Sequence, residues 1–436
     1  MNKMKKMMRQ ITLWLMVIGL VLSATGCAGP EGNEGEVTIT VSQWHTAEEQ
    51  FKQPFAELVA AFEKENPGIK VEVESIPWSD TLDQLTIRSN SGTAPDLMLL
   101  CSDWVAPLAA MGALADLNTL VSDETVQALS WSKESLLNPY TVEGSLYGLT
   151  WYTFTFPLLY NKNALAQVGL TENDIPDDWG SFENQLKEIA AAGNNVYAFT
   201  RDFTQGADGG RTFIPWLWAY SGDIFDEDGN VCYDDARGVQ ALTAMVEVAK
   251  AGQPYPIGVG QYAAREVFAQ NKICYMQESS WMRAILQDLS GEGEAYDNQW
   301  GTAPWPKSSA TGNRDTLIDA HVWGVSADSE HPEEAMKFAE FLVTNREAQE
   351  LFLSIFGAIT PVQEYFDFEM YQDPYYSTFV EAMSESRALP FHPQINAILT
   401  DISVAMLDAL NGGDPAEALR KSANTTRSML GQSVVE

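Results

Sequence analysis

Residues 62–104 constrain the fold of this 436-residue chain most strongly, because they read as helix, strand, helix and strand in succession. An Asn-Pro-Gly sequence at residues 66–68 ends the first helix, since proline disfavours helical geometry in the residue before it and glycine tolerates a left-handed φ. Apolar residues at positions 69, 71 and 73 then alternate with charged ones, which is typical of a half-buried strand. The unbroken apolar run at residues 97–101 predicts a strand that is covered on both faces, as in a parallel sheet.

A further strand and helix precede this stretch. Val37, Ile39 and Val41 alternate with polar residues, and the apolar side chains between Phe51 and Phe62 fall on one face of a helix. The resulting β-α-β-α-β order opens a doubly wound α/β domain. Two of its strands end in polar and aromatic residues, at 42–45 and 102–104, and ligands of open α/β sheets bind at such carboxyl ends.

Length and charge narrow the class of protein. A chain of 436 residues is too long for one hydrophobic core and suggests two domains. The formal net charge is −34, so nucleic acid and anionic membrane surfaces are poor partners, because both require basic patches. An acidic surface instead favours the binding of neutral or cationic ligands.

The N-terminus predicts export. Basic residues up to Arg9 are followed by an apolar run at residues 11–22, which is too short for a mature membrane-spanning helix and is typical of a signal peptide. We predict a signal peptide at residues 1–26 and a tether without periodicity at residues 27–36. The Gly26-Cys27 pair resembles a lipobox, which implies lipidation of Cys27; ordinary signal cleavage beside an incidental cysteine is the alternative.

The other cysteines are Cys101, Cys232 and Cys274. They include no CxxC pair and no Cys/His cluster, so we predict no metal and no cofactor, and we expect no disulfide. Their apolar contexts are typical of small core residues.

Several longer segments carry a family resemblance. FEKENPGIKVEVESIPW (62–78) and SGTAPDLMLL (91–100) resemble the N-terminal signature of the extracellular solute-binding proteins of ABC importers, in particular the carbohydrate-binding branch that includes the maltose-binding proteins. The resemblance continues through FAQNKICYMQESSWMRAIL (268–286), WGTAPWP (300–306) and a Gly-Ala-Ile-Thr-Pro-Val loop at 357–362, and it covers nearly the whole mature chain.

The resemblance implies a fold and a division into lobes. The expected fold is α/β, periplasmic-binding-protein-like type II, with two doubly wound lobes, a multi-strand hinge and a ligand cleft between the lobes. Residues 37–149 with 300–345 would form the first lobe, and residues 150–299 with 346–436 the second.

Candidate ligand contacts follow from strand ends and from the family's positions. Trp281 stands where relatives place a sugar-stacking tryptophan. Arg283 could bind sugar hydroxyls or pair with surface acids, Trp78 could serve packing, and Trp151 could belong to the core. Of Trp216 and Trp218, one is expected in the cleft, and His321 and Trp323 are further candidates at its edge. The predicted ligand-binding residues are Trp44, His45, Trp78, Asp103, Trp104, Trp151, Trp216, Trp281 and Arg283.

The predicted function is that of a lipid-anchored, extracytoplasmic receptor, not an enzyme. It would capture a sugar, with an oligosaccharide as the expected ligand, and deliver it to the membrane permease of an ABC importer, acting as a monomer without nucleic acid. A receptor for a polyamine, peptide or other cationic solute is the first alternative. A secreted glycosidase is the second, although the chain contains no GxSxG, HExxH or GxxxxGK[ST] motif.

Overall fold

A computed structural model of the protein describes residues 35–434. The predicted signal peptide, Cys27 and most of the predicted tether lie outside these residues. Within them, the strands are β1 (Val37–Gln43), β2 (Ile69–Ser75), β3 (Leu97–Cys101), β4 (Thr141–Val142), β5 (Ser145–Leu146), β6 (Leu149–Thr155), β7 (Leu158–Asn161), β8 (Tyr197–Thr200), β9 (Ile273–Gln277), β10 (Trp300–Ala303), β11 (Thr316–Val325) and β12 (Ser386–Arg387).

β4 and β5 pair only with each other, and the two larger sheets are surrounded by helices. These helices are α1 (Glu49–Glu65), α2 (Trp78–Asn90), α3 (Ser102–Ala110), α4 (Asp123–Leu129), α5 (Lys133–Leu136), α6 (Lys162–Gln167), α7 (Trp179–Ala192), α8 (Ala207–Ala219), α9 (Ala236–Lys250), α10 (Gln261–Ala269), α11 (Met282–Ser290), α12 (Pro332–Thr344), α13 (Arg346–Phe356), α14 (Pro374–Ala382), α15 (Ile395–Leu410) and α16 (Pro415–Met429).

The first sheet has the strand order β12-β11-β3-β1-β2, and β6 also pairs with β11. β1 lies parallel to both β2 and β3, whereas β11 runs antiparallel to β3 and β6. All five residues of β3 are buried, as expected for a strand that is covered on both faces. The first-lobe strands and helices predicted from residues 37–101 are therefore present where the periodicity put them.

The second sheet has the order β10-β7-β9-β8, with β8 and β9 parallel. Its helices include α8, α15 and α16, of which α15 packs against both others. In α8, a Cβ added at Gly210 would lie 2.0 Å from the carbonyl oxygen of Leu399 in α15. Only glycine allows this approach of the two helix backbones.

The chain crosses between the lobes later than the sequence indicated. β6 pairs with β11 from Leu149 to Thr155, with a register shift that leaves Trp151 unpaired, so the first crossing lies at Phe156-Pro157 and not at residue 150. β10 pairs with β7, which places residues 300–303 in the second lobe and not in the first. α13 also differs from the prediction: its Phe352 stacks on Trp151 of β6, with ring centroids 4.4 Å apart, so this helix packs on the first lobe.

Three further properties concern the same residues, 35–434. Cys101, Cys232 and Cys274 are free thiols, two of them buried and Cys232 half-buried. In this part of the chain, no helix is long and apolar enough to cross a membrane. Nor do the described residues bring three or more metal-ligating side chains together.

Candidate ligand-binding cleft

The carboxyl ends of β1 and β3 form one wall of a cleft. Trp44 follows β1, and α3 begins at Ser102 directly after β3. The antiparallel pairing of β11 sets His321 opposite Cys101, so Asp319 lies just beyond the end of β3. There its carboxylate accepts a short hydrogen bond from the Ser102 hydroxyl.

Tryptophan rings line this first-lobe wall. The ring centroids of Trp44 and Trp104 are 5.7 Å apart, and those of Trp104 and Trp78 are 5.9 Å apart. Trp78 remains 52% exposed, although its Nε1 donates a hydrogen bond to the Cys101 thiol at 3.2 Å. The wall therefore presents an indole face to solvent at its outer end.

A buried polar chain runs behind this wall. The Tyr152 hydroxyl lies 2.6 Å from Nε2 of His45 and 2.5 Å from Nδ1 of His321. Burial lowers the pKa of both imidazoles, with that of His321 at about 4. Both rings are then neutral at pH 7, so the hydroxyl donates to one imidazole and accepts the N–H of the other.

The carboxyl ends of β8 and β9 form the opposite wall. Arg201 follows β8, and its guanidinium lies 5.2 Å from the ring centroid of Phe156, in the first crossing. Trp281 comes four residues after β9 and contacts the same Phe156, at 5.9 Å, as well as Phe154 of β6, at 4.4 Å. The crossing segment thus joins the two walls at the base of the cleft.

This second wall carries polar atoms without partners. The hydroxyls of Ser279 and Ser280 are buried and lack a hydrogen bond, as does Nε of Arg201. Buried polar groups in folded proteins are almost always hydrogen-bonded. Unpaired groups gathered beside a cleft are consistent with a polar ligand that would pair with them.

Side chains from the two lobes meet across the cleft. Arg211 of α8 binds Asp319 at 2.9 Å and Asp103 at 3.3 Å, and Asn396 of α15 donates to Asp103 at 2.8 Å. Ser102, Asp103, Arg211 and Asp319 line a cavity of about 30 Å³ that remains there. Such a volume holds one or two water molecules, so a larger ligand requires the lobes to separate.

The two aspartates of this contact differ in acidity. Burial raises the pKa of Asp103, and the attraction of Arg211 offsets this only in part. Burial also acts on Asp319, but Arg211 and the hydrogen bond from Ser102 outweigh it, so the pKa of Asp319 is lowered.

The structure brings six of the nine predicted ligand contacts to the cleft or directly behind it. Trp78 and Asp103 reach its surface, Trp281 is half-buried at its base, and three are almost fully buried: Trp44, His45 and Trp104.

The other three predicted contacts lie elsewhere. Trp151 is 1% exposed and packs in the first-lobe core, and Trp216 has no exposed surface and packs on Trp179, with centroids 4.9 Å apart. Neither can present a ring face to a ligand in this conformation. Arg283 binds Asp297 at 2.7 Å and Asp373 at 2.5 Å in a separate pocket of the second lobe. It is therefore an ion-paired residue outside the cleft.

Sequence reasoning missed four polar cleft residues. Arg201 follows the apolar strand β8, so the strand-end rule that indicated Asp103 could have found it. Arg211 and Asn396 lie on helices and Asp319 lies within a strand, and no local pattern marks those side chains. His321, a candidate at the cleft edge, lies in the wall beside Trp44, whereas Trp323 has no exposed surface.

Comparison with known proteins places the chain in a family. The sequence model of the bacterial extracellular solute-binding proteins matches residues 45–349. The galactooligosaccharide-binding protein of Bacillus subtilis is 22% identical, over 98% of each chain. The maltooligosaccharide ABC transporter solute-binding lipoprotein of Streptococcus pneumoniae is 21% identical, over 87% of this chain and 86% of its own.

Solved structures show the same architecture. The cyclic α-maltosyl-1,6-maltose binding protein of Arthrobacter globiformis matches with a TM-score of 0.74 and 21% identity, over 90% of this chain and 99% of its own. The sugar-binding protein MalE of Xanthomonas citri matches with a TM-score of 0.74 and 19% identity, over 91% of this chain and 100% of its own. The predicted type II periplasmic-binding-protein fold is thereby confirmed. The chain belongs to the bacterial extracellular solute-binding proteins.

Proposed function

We propose that this protein is the receptor of an ABC importer and that its ligand is an oligosaccharide. The observation that carries the proposal is the pairing of exposed or half-buried indoles with unpartnered polar groups across one cleft. Sugar rings pack their C–H faces on aromatic planes, and their hydroxyls need polar partners. The sugar-binding names of the relatives support the same class of ligand.

The polar groups favour a sugar over a cationic solute. Nε of Arg201 and Nε of Arg211 are both buried without a hydrogen-bond partner. A guanidinium donates hydrogen bonds and accepts none, so its partner must be an acceptor. Sugar hydroxyls can accept, whereas the ammonium groups of a polyamine cannot.

The same geometry argues against a glycosidase. The cleft does contain two carboxylates whose acidities differ, Asp103 and Asp319. Both are bound to Arg211, so a guanidinium occupies the space between them. An acid/base pair in a glycosidase needs that space for the glycosidic bond. We therefore propose binding without turnover.

Delivery would depend on closure of the lobes. A ligand that contacts both walls binds the closed form more tightly than the open one and shifts the population towards it. A permease would then recognise the closed shape. We also propose that lipidation at Cys27 keeps the receptor at the outer face of the membrane.

Thermal unfolding of protein lacking residues 1–34, with a panel of sugars, polyamines and peptides, tests the function. A ligand at 100 times its Kd should stabilise the fold by about 2.7 kcal/mol, which raises Tm by several degrees. We expect a shift with one related set of sugars and no product after long incubation. A shift with polyamines or peptides alone would refute the sugar assignment, and turnover of any sugar would refute the receptor assignment.

A further inference from the structure

Arg201 is the exception among the buried arginines of residues 35–434. Four arginines there have only 4–8% of their surface exposed. Within the described chain, no carboxylate lies within 4.0 Å of Arg201; its Nη1 donates to the carbonyl oxygen of Asp208 at 3.2 Å, and its Nε has no partner. Each of the other three has an ion pair, at 2.9, 2.7 and 2.6 Å: Arg211–Asp319, Arg265–Glu278 and Arg427–Asp234.

Three second-lobe acids act on the charge of Arg201: Asp208 is mostly exposed and lies 4.0 Å from Nε of Arg211, and the other two, Glu278 and Asp202, already have partners. Glu278 accepts hydrogen bonds from Arg265 at 2.7 Å and from Gln261 at 2.8 Å. Both oxygens of Asp202 accept backbone N–H groups, at 2.9 and 3.0 Å. Turning either carboxylate towards Arg201 would break those bonds. A buried charge is costly unless it is paired, so a carboxylate of the ligand would complete the surroundings of Arg201.

The position of Arg201 indicates where that partner would lie. Its guanidinium and the Trp281 ring contact the same Phe156 ring, at 5.2 and 5.9 Å. Ser279 and Ser280, whose buried hydroxyls lack partners, directly precede Trp281. Arg201 and Trp281 therefore both adjoin Phe156 at the base of the cleft, and two unpaired hydroxyls directly precede Trp281 in the chain.

We infer that the ligand is an acidic sugar whose carboxylate binds Arg201. The inference rests on the proposed function and specifies the substrate class as oligosaccharides that contain a uronic acid. The Nε edge of a guanidinium matches the two oxygens of a carboxylate in a bidentate ion pair, which is stronger than the uncharged hydrogen bonds that the hydroxyls of a neutral sugar can accept. The two serine hydroxyls can donate to the same carboxylate or to the ring hydroxyls beside it.

Calorimetric titration with matched sugars tests the inference. Uronate oligosaccharides, neutral oligosaccharides of the same linkage and length, and sulfated ones are titrated into the wild-type protein, Arg201→Gln and Arg201→Lys. Arg346→Gln is the matched control, because Arg346 is ion-paired on the surface with Asp367. We expect the wild type to prefer the uronate sugar, Arg201→Gln to bind it at least about 30-fold more weakly, and Arg201→Lys to keep part of the preference.

A second readout separates ligand recognition from a structural role. Because Arg201 has no ion pair to lose, Arg201→Gln should unfold at the same temperature as the wild type, or higher, in the absence of sugar. Wild-type binding of neutral but not acidic sugars would overturn the inference and leave the proposed function intact. A preference for sulfated sugars, or an unchanged uronate affinity in Arg201→Gln, would also overturn it. Failure to bind any sugar would refute the proposed function itself.

Discussion

At the scale of single residues, burial separates two kinds of tryptophan in this chain. Trp281 is half-buried and contacts Phe154 and Phe156, so its ring lies at the edge of the cleft. Trp216 has no exposed surface and packs edge-on against Trp179. One ring is available to a ligand, whereas the other only fills the second-lobe core.

Alanine substitutions should separate these two roles. Trp281→Ala should weaken sugar binding about 30-fold, as expected for a central aromatic contact worth about 2 kcal/mol, with a small change in Tm. Trp216→Ala should instead lower the free energy of unfolding by about 3–5 kcal/mol, because it leaves a large cavity. Calorimetric titration and urea unfolding measure the two effects. Equal losses of affinity and stability in both variants would contradict this division.

His321 should make stability depend on pH. Burial holds its folded pKa at about 4, below the unfolded value of 6.5, so the unfolded chain binds the extra proton in the interval between them. The free energy of unfolding should therefore fall by about 3 kcal/mol as pH drops through that interval. His321→Gln should reduce the slope by about 1.4 kcal/mol per pH unit in urea unfolding. Identical slopes in the variant and the wild type would show that His321 takes up its proton equally in both states.

Residue types at strand ends were predictable, but side-chain direction was not. Asp103 and Trp104 follow an apolar strand, and that position alone placed them at the cleft. Every residue of β6 is buried. Neither periodicity nor composition therefore predicts that Phe154 faces the cleft and that Trp151 faces the core. Arg283 looked like a cleft residue because of its nearness to Trp281, yet its ion pairs with distant acids decide its position.

At the scale of elements, local pattern fixed the strands and left their pairing open. The alternation at residues 37–43 and 69–75 identified β1 and β2, which do pair in parallel. The position of β10 in the second sheet depends instead on hydrogen bonds to β7, a strand more than a hundred residues away. The same holds for α13, because no local sequence pattern predicts its contact with β6.

Because α8 and α15 approach closely, adding one methyl group at Gly210 should lower the stability of the protein. In Gly210→Ala, the new Cβ would lie 2.0 Å from the Leu399 carbonyl oxygen, so the helices must separate. We expect a loss of stability of about 1–3 kcal/mol and weaker ligand binding, because Arg211 follows directly.

Gly180→Ala is the matched control for this effect. Gly180 lies in the first turn of α7, and its added Cβ would meet only atoms at 3.5 Å or more. Alanine there should be neutral or stabilising by up to about 1 kcal/mol. Urea unfolding of both variants measures the difference, and equal stabilities would show that α8 and α15 have room to move apart.

At the scale of the whole molecule, polar contacts across the cleft join the lobes. Asp103 of the first lobe forms an ion pair with Arg211 and accepts a hydrogen bond from Asn396, both in the second lobe. These contacts stabilise the arrangement in which the two walls of the cleft meet. Ligand binding then has to exchange them for contacts of its own.

Removing one of these contacts should open the free protein. Asn396→Ala loses a hydrogen bond to a buried carboxylate, worth about 1.5–3 kcal/mol, so the open form should gain at least about tenfold in relative population. Small-angle X-ray scattering without ligand should show a larger radius of gyration. Asn411→Ala, at the exposed end of the same helix, is the control. Equal radii for Asn396→Ala and the control would show that this contact does not hold the lobes together.

The close backbone contact between α8 and α15 also bears on how the cleft opens. Arg211 lies on one of these helices and Asn396 on the other, and neither helix can slide past its neighbour without a collision at Gly210. The side chains of Arg211 and Asn396 therefore move together, as parts of one rigid unit formed by α8 and α15. Their bonds to Asp103 must break in the same event, so opening should follow a single exponential time course without a half-released intermediate.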